Sequence, residues 1–159
     1  RYHHEVIGFN SRLDTLQAAI LLEKLKIFDE EIEARQHVAE AYNRLFEDSW
    51  KALGDEPIAR LPIIEHGNHS VWAQYTLRLQ HRDVVKSKLN EAGIPATVYY
   101  PVPLSLQQAV GDARVSMPQS EQAAREVLSL PMHPYLKEGA QQTIVKSINL
   151  VVCSPKAPE

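Results

Sequence analysis

The stretch Gly8-Phe9-Asn10-Ser11-Arg12-Leu13-Asp14 sets a permissive glycine, an amide and a guanidinium at the mouth of an apolar run with helical spacing. Exposed first-turn amides and the positive end of a helix dipole attract a phosphate or carboxylate. Asn10 can donate to such an anion from its side chain, and Arg12 can grip two of its oxygens at once. The competing reading is local, with Asn10 and Ser11 capping the helix and Arg12 paired with a surface acid. A second candidate is Tyr99-Tyr100-Pro101-Val102-Pro103 at the end of a strand-like run, where two phenols offer hydrogen bonds and flat faces to a polar ring. Adjacent tyrosines in a strand serve equally as one core and one surface residue.

Other chemistries find little support. The seven histidines, among them His3-His4, His66, His69 and His133, lack the paired helical or Cys/His spacing of a zinc site. There is no nucleophile elbow and no glycine-rich phosphate loop, and Gly67 and Gly93 read as element ends. A net charge of -3 with interspersed signs argues against nucleic acid or an anionic membrane as partner. No apolar run approaches the roughly 20 residues needed to span a bilayer. Cys153 is the only cysteine, which rules out an intrachain disulfide and suits a reducing, cytoplasmic setting. The opening Arg1-Tyr2-His3-His4-Glu5 has neither an initiator Met nor a signal-peptide layout, and reads as the middle of a longer polypeptide.

These candidates need elements to hold them. Residues 11 to about 49 carry apolar side chains at helical spacing, and Phe28-Asp29-Glu30-Glu31 splits them into two helices by offering a cap and first-turn acids. Ser11-Arg12-Leu13-Asp14 reads as a capping box opening the first helix. That helix is apolar almost all round, through Leu13, Leu16, Ile20, Leu21, Leu22 and Leu25, so it is expected to seek a partner domain or subunit. Strand-like runs at 58–64 and 71–79 flank the polar turn His66-Gly67-Asn68-His69 and predict a hairpin. A helix over 82–92, ended by Gly93, leads to a strand at 96–100, a mobile loop over 104–116 and a short helix opened by Ser120-Glu121. Leu128-Ser129-Leu130-Pro131 reads as the lead into a turn before a last helix over 138–152. The expected class is α+β, a small antiparallel sheet with helices packed on one face and preceded by long helices. The division expected is a helical segment at 1–53 and an α+β domain at 54–159.

One ordered series spans nearly the whole chain. It runs from Gly8 to Asp14 with Gln17-Ala18-Ala19, through Arg35 with Ala41-Tyr42 and Gly93-Ile94-Pro95, to Tyr99-Tyr100-Pro101 and Leu128-Ser129-Leu130-Pro131-Met132-His133. In that order it resembles the C-terminal part of the DegT/DnrJ family of sugar aminotransferases. The resemblance implies a fold type I architecture, a homodimer with pyridoxal 5'-phosphate at the subunit interface, and amino transfer from an amino acid, usually glutamate, to a nucleotide-linked keto sugar. That is an activity of polysaccharide biosynthesis. Within the family the likeness is to enzymes that aminate a 3-keto UDP-acetamido sugar acid. It also implies roles: Asn10 matches the asparagine that reaches the cofactor phosphate of the neighbouring subunit, and Arg12, Tyr99 and Tyr100 match residues near the bound sugar.

Two departures follow. Many relatives have His-Tyr-Pro where this chain has Tyr99-Tyr100-Pro101, and a phenol cannot be the cation that a histidine can become near neutrality. The lysine that bonds the cofactor, and the acid that pairs with its ring nitrogen, precede the matched stretch in the family. The lysines present, including Lys24, Lys86 and Lys146, mostly read as solvated. The chain by itself is therefore expected to be inactive, the alternative being a regulatory or dimerisation module with the same fold.

Overall fold

The computed structural model describes residues 3, 5–8, 12–53, 58–112 and 115–152. Helix α1, Thr15–Leu25, is followed after a short turn by α2, Phe28–Leu53, so the expected break near Phe28 is present. The start of α1 differs from expectation. Asp14 is the N-cap and its carboxylate accepts from the Gln17 amide at 2.8 Å, so the helix begins three residues beyond the capping box centred on Ser11. A carboxylate at this position both satisfies an orphan N–H and complements the dipole, which a serine hydroxyl does only in part.

Strands β1 (Ala59–Arg60), β2 (Tyr75–Leu79) and β3 (Val127–Leu130) form an antiparallel sheet in the order β1-β2-β3. The expected hairpin exists as Ala59 opposite Leu79 and Arg60 opposite Arg78, but it is short. Pro62 cannot donate to a ladder, and Trp72 sits at φ 48, a left-handed conformation that ends extended chain. That strained tryptophan is held by α2: its indole N–H donates to Gln36 Oε1 at 2.7 Å, and Arg35 donates to its carbonyl at 3.0 Å. The intervening turn does form, with the Asn68 amide donating to Glu65 O and Gly67 at φ 86.

The third strand is the main correction. The run at 96–100 makes one bridge, Thr97 to Ser129, and Pro101 and Pro103, which lack an N–H, do not carry the pairing on beyond Tyr100. The third full partner is 127–130, read from sequence as the lead into a turn; it pairs with β2 through Tyr75 opposite Leu130 and Leu77 opposite Leu128. Alternation puts those four side chains on one face and Thr76, Arg78, Val127 and Ser129 on the other.

Helices α2, α3 (Arg82–Glu91) and α5 (Glu138–Val152) cover the first face. Val38, Tyr42, Phe46 and Trp50 of α2 share one core with Tyr75 and Leu77 of β2, Val85 and Leu89 of α3, and Ile144 and Ile148 of α5. That core draws on residues on both sides of position 53. The rings of Tyr42 and Tyr75 stack with centroids 4.7 Å apart, and burial pushes both phenols upward from the ordinary tyrosine value. Both are satisfied: Tyr42 donates to Pro131 O at 3.0 Å and Tyr75 to Asn43 Oδ1 at 2.6 Å. Buried Gln141 ties α5 to α2 by donating to Val38 O at 2.8 Å. Helix α1 buries none of its residues, and Leu16 is 75% and Leu22 64% exposed.

Between the Thr97 bridge and β3 lies the stretch read as a mobile loop. It contains a 3-10 turn at Leu104–Leu106, and helix α4, Pro118–Glu126, begins two residues before the expected Ser120 because Pro118 sits in its first turn, where its missing N–H costs nothing.

Candidate functional site

On the face of the sheet away from the core, the chain encloses an open cleft of about 890 Å³. One wall is the Tyr99-Tyr100 pair with the loop that follows it, through Val102 and Gln107; the other is α4 with the start of β3, through Ala124 and Val127. The Thr97 bridge explains why the tyrosines stand here. Two backbone hydrogen bonds, 3.1 Å from the Thr97 amide to Ser129 O and 2.8 Å from the Ser129 amide to Thr97 O, fasten the segment to β3 just before the pair. The prolines then turn the chain off the sheet edge. The Tyr99 and Tyr100 rings meet edge to face at 5.9 Å and 72°, and the peptide between them is cis. Tyr99 is half-buried and Tyr100 exposed.

The lining is mainly apolar, with hydrogen-bonding groups at Tyr99, Tyr100, Gln107, Ser120 and His3. No lysine, arginine or carboxylate lines it among the described residues. Such a surface holds an uncharged ring or a hydroxylated sugar by stacking and a few polar contacts. Among the described residues it presents no lysine or arginine to pair with a phosphate.

The sequence candidates therefore divide. Tyr99 and Tyr100 come together in one cleft. Arg12 is exposed, just before α1, and does not line it. Asn10 lies outside the described residues. At the start of α1 the Asp14 carboxylate, an anion of the chain's own, takes the Gln17 amide. Gln107 and Ser120 were missed as site residues by pattern reading, since neither stands in a periodic or motif-like context; their closeness to the tyrosines comes from the way the loop folds back. Among the described residues no three His, Cys, Asp or Glu side chains group as a metal site, and no helix is long and apolar enough to cross a membrane.

Residues 1–149 match the DegT/DnrJ/EryC1/StrS aminotransferase family, and the chain belongs to it. It is 49% identical over 148 residues to the UDP-2-acetamido-2-deoxy-3-oxo-D-glucuronate aminotransferase of Pseudomonas aeruginosa, covering 93% of this chain and 39% of that protein. It is 44% identical to the "pleiotropic regulatory protein" of Geobacillus stearothermophilus, with the same two coverages. The crystal structure of a DegT DnrJ EryC1 StrS aminotransferase from Brucella abortus superposes with a TM-score of 0.77 at 41% identity, covering 97% of this chain and 40% of the other. The chain thus spans about two fifths of the length of the relatives it matches, consistent with the C-terminal part expected from its motifs. The α+β sheet-and-helix arrangement is the one that this part of the fold type I aminotransferases adopts.

The family's aminotransferases depend on pyridoxal 5'-phosphate. That cofactor needs a lysine amine to hold it covalently and donors for its phosphate. The described lining of the cleft offers hydrogen-bond donors but no lysine, so it does not fit the group by itself, and no chemical step through it is derived from these residues.

Proposed function

We propose that this chain is the C-terminal part of a pyridoxal phosphate-dependent enzyme that transfers an amino group, from an amino acid such as glutamate, to a nucleotide-linked keto sugar. The observation that carries the reading is the tyrosine-lined cleft, with no lysine among its described lining residues, in a chain so similar to an aminotransferase of a 3-oxo UDP sugar acid. In this reading the chain supplies binding surface, and the cofactor lysine comes from the rest of the protein. Tyr99 and Tyr100 contact the sugar nucleotide by stacking and hydroxyl hydrogen bonds. Arg12 is lent to the sugar, and Asn10 to the cofactor phosphate, across a homodimer interface in a cytoplasmic enzyme. Separation of Arg12 from the cleft within one chain accords with a site completed between subunits.

The test has two parts. The whole protein, incubated with glutamate and a 3-keto UDP-acetamido sugar acid, yields the amino sugar and 2-oxoglutarate. The 159-residue chain incubated with pyridoxal phosphate gives no visible absorbance of a lysine-linked adduct, and an adduct at a single lysine of this chain overturns the division of labour.

A second reading rests on the 44% identical relative named as a regulatory protein. It takes the same fold as a non-catalytic regulator or dimerisation module. It is supported if the whole protein binds no cofactor and turns over no keto sugar, and it falls if turnover is seen.

A further inference from the structure

The wall of the cleft beyond the tyrosines is tied to itself by hydrogen bonds that converge on one residue. Gln107 donates from its backbone N–H to Leu104 O at 3.1 Å, and its own carbonyl accepts from the Val110 and Gly111 amides at 3.2 and 2.6 Å. Its side-chain amide donates back to Val102 O at 3.4 Å. The residue is buried and also lines the cleft, so the loop is tied and the site is lined by the same residue.

Gly111 closes this knot for a steric reason. A methyl group at position 111 would lie 2.5 Å from Gln107 O and 2.7 Å from Ser105 O. Both are backbone atoms of the loop itself, so they cannot swing aside as a flexible side chain would. Any other residue at 111 must shift either its own backbone or the turn at 105–107. Val102, Leu104 and Gln107, which line the cleft, stand on or beside that turn.

We propose that residues 102–111 are a preformed wall, and that Gly111 and the Gln107 amide are positioning residues that set how deeply the ligand of the cleft can sit. The inference rests on the functional reading above, which makes that ligand a nucleotide-linked sugar. The wall acts by keeping Val102 and Leu104 in place opposite α4, and so by fixing the distance across the site; it touches no reacting bond.

Two measurements decide it. In hydrogen exchange on the chain as it stands, the Val110 and Gly111 amides exchange at least about tenfold more slowly than in an unstructured peptide. Exchange at coil rates overturns the knot whatever the activity. In the whole enzyme, Gly111→Ala raises KM for the nucleotide sugar about tenfold while kcat stays within about twofold, since misplaced binding groups cost affinity before they cost chemistry. An unchanged KM with only a lower melting temperature overturns the positioning role and leaves Gly111 a structural residue. Should Gly111→Ala not fold, Gln107→Met keeps nearly the same length without adding charge, removes the donor to Val102 O, and is read by the same split. If the unsubstituted whole enzyme turns over no keto sugar, it is the functional reading that fails, and the specificity role falls with it, whereas normal turnover with no KM effect in either variant defeats this inference alone.

Discussion

At the residue scale, the tyrosine pair and Glu126 show how one position can be read by its surroundings. A phenol that hydrogen-bonds a neutral ligand group contributes on the order of 1 kcal/mol. Tyr100→Phe in the whole enzyme is therefore expected to raise KM for the nucleotide sugar about fivefold with kcat little changed, as steady-state kinetics will show. Glu126 sits on the outer side of the sheet, where Gln122 donates to one of its oxygens at 2.8 Å and Arg78 to the other from two nitrogens at 3.1 and 2.8 Å. The Gln122 amide first, then the guanidinium, hold its carboxyl below the ordinary value of 4.5. A carboxyl lowered on folding adds stability that is present above its unfolded value and lost as pH falls through its folded one. The urea midpoint of the chain should fall as the solution is acidified below the ordinary carboxylate range, and Arg78→Met should flatten that fall. An equal acid slope in the variant would show that the Arg78–Glu126 pair does not contribute to it.

At the element scale, α2 is the support of the whole sheet. Its buried stripe Val38, Tyr42, Phe46 and Trp50 is spaced at helical intervals, and each member meets the strands or the other helices. Phe46 is fully buried, stacks beside Tyr42 at 6.4 Å and lies 5.5 Å from Trp50. Phe46→Ala should destabilise the chain by about 3–5 kcal/mol, measured by denaturant unfolding, with helix and tyrosine signals lost in one transition. Because the core needs α2, a polypeptide of residues 54–159 is expected to stay unfolded by circular dichroism, whereas one of residues 27–159 should fold. A cooperative melt of the shorter piece would mean that the sheet, α3 and α5 suffice.

At the scale of the whole molecule, α1 is the exposed apolar element. Leu16, Ile20, Leu21, Leu22 and Leu25 are all exposed, with Ile27 and Phe28 continuing the surface. Contiguous apolar surface on a helix drives association in water. The chain by itself should form dimers or larger species in light scattering, and Leu16→Glu with Ile20→Glu should shift it toward monomer without lowering its melting temperature, since neither side chain is part of the core. A monomer at high concentration in the unsubstituted chain would refute this.

What could be read without a structure was whatever short-range periodicity and single residues encode. The break before Phe28, the stop of α3 at Gly93, which sits at φ 75, the turn at Gly67 and the last helix all follow from spacing and from conformations that one residue dictates. The ordered motifs likewise carried the family, because they are matched residue by residue. Tertiary structure decided the rest. That 127–130 pairs with β2 while 96–100 only bridges to its far side at Ser129 is decided by contacts between residues far apart in sequence. The cleft joins Tyr99, Gln107, Ala124 and Val127, and a wall tied through a carbonyl and a missing methyl leaves no period in the sequence. Pairing and packing between distant residues depend on three-dimensional distance, and local pattern does not record it.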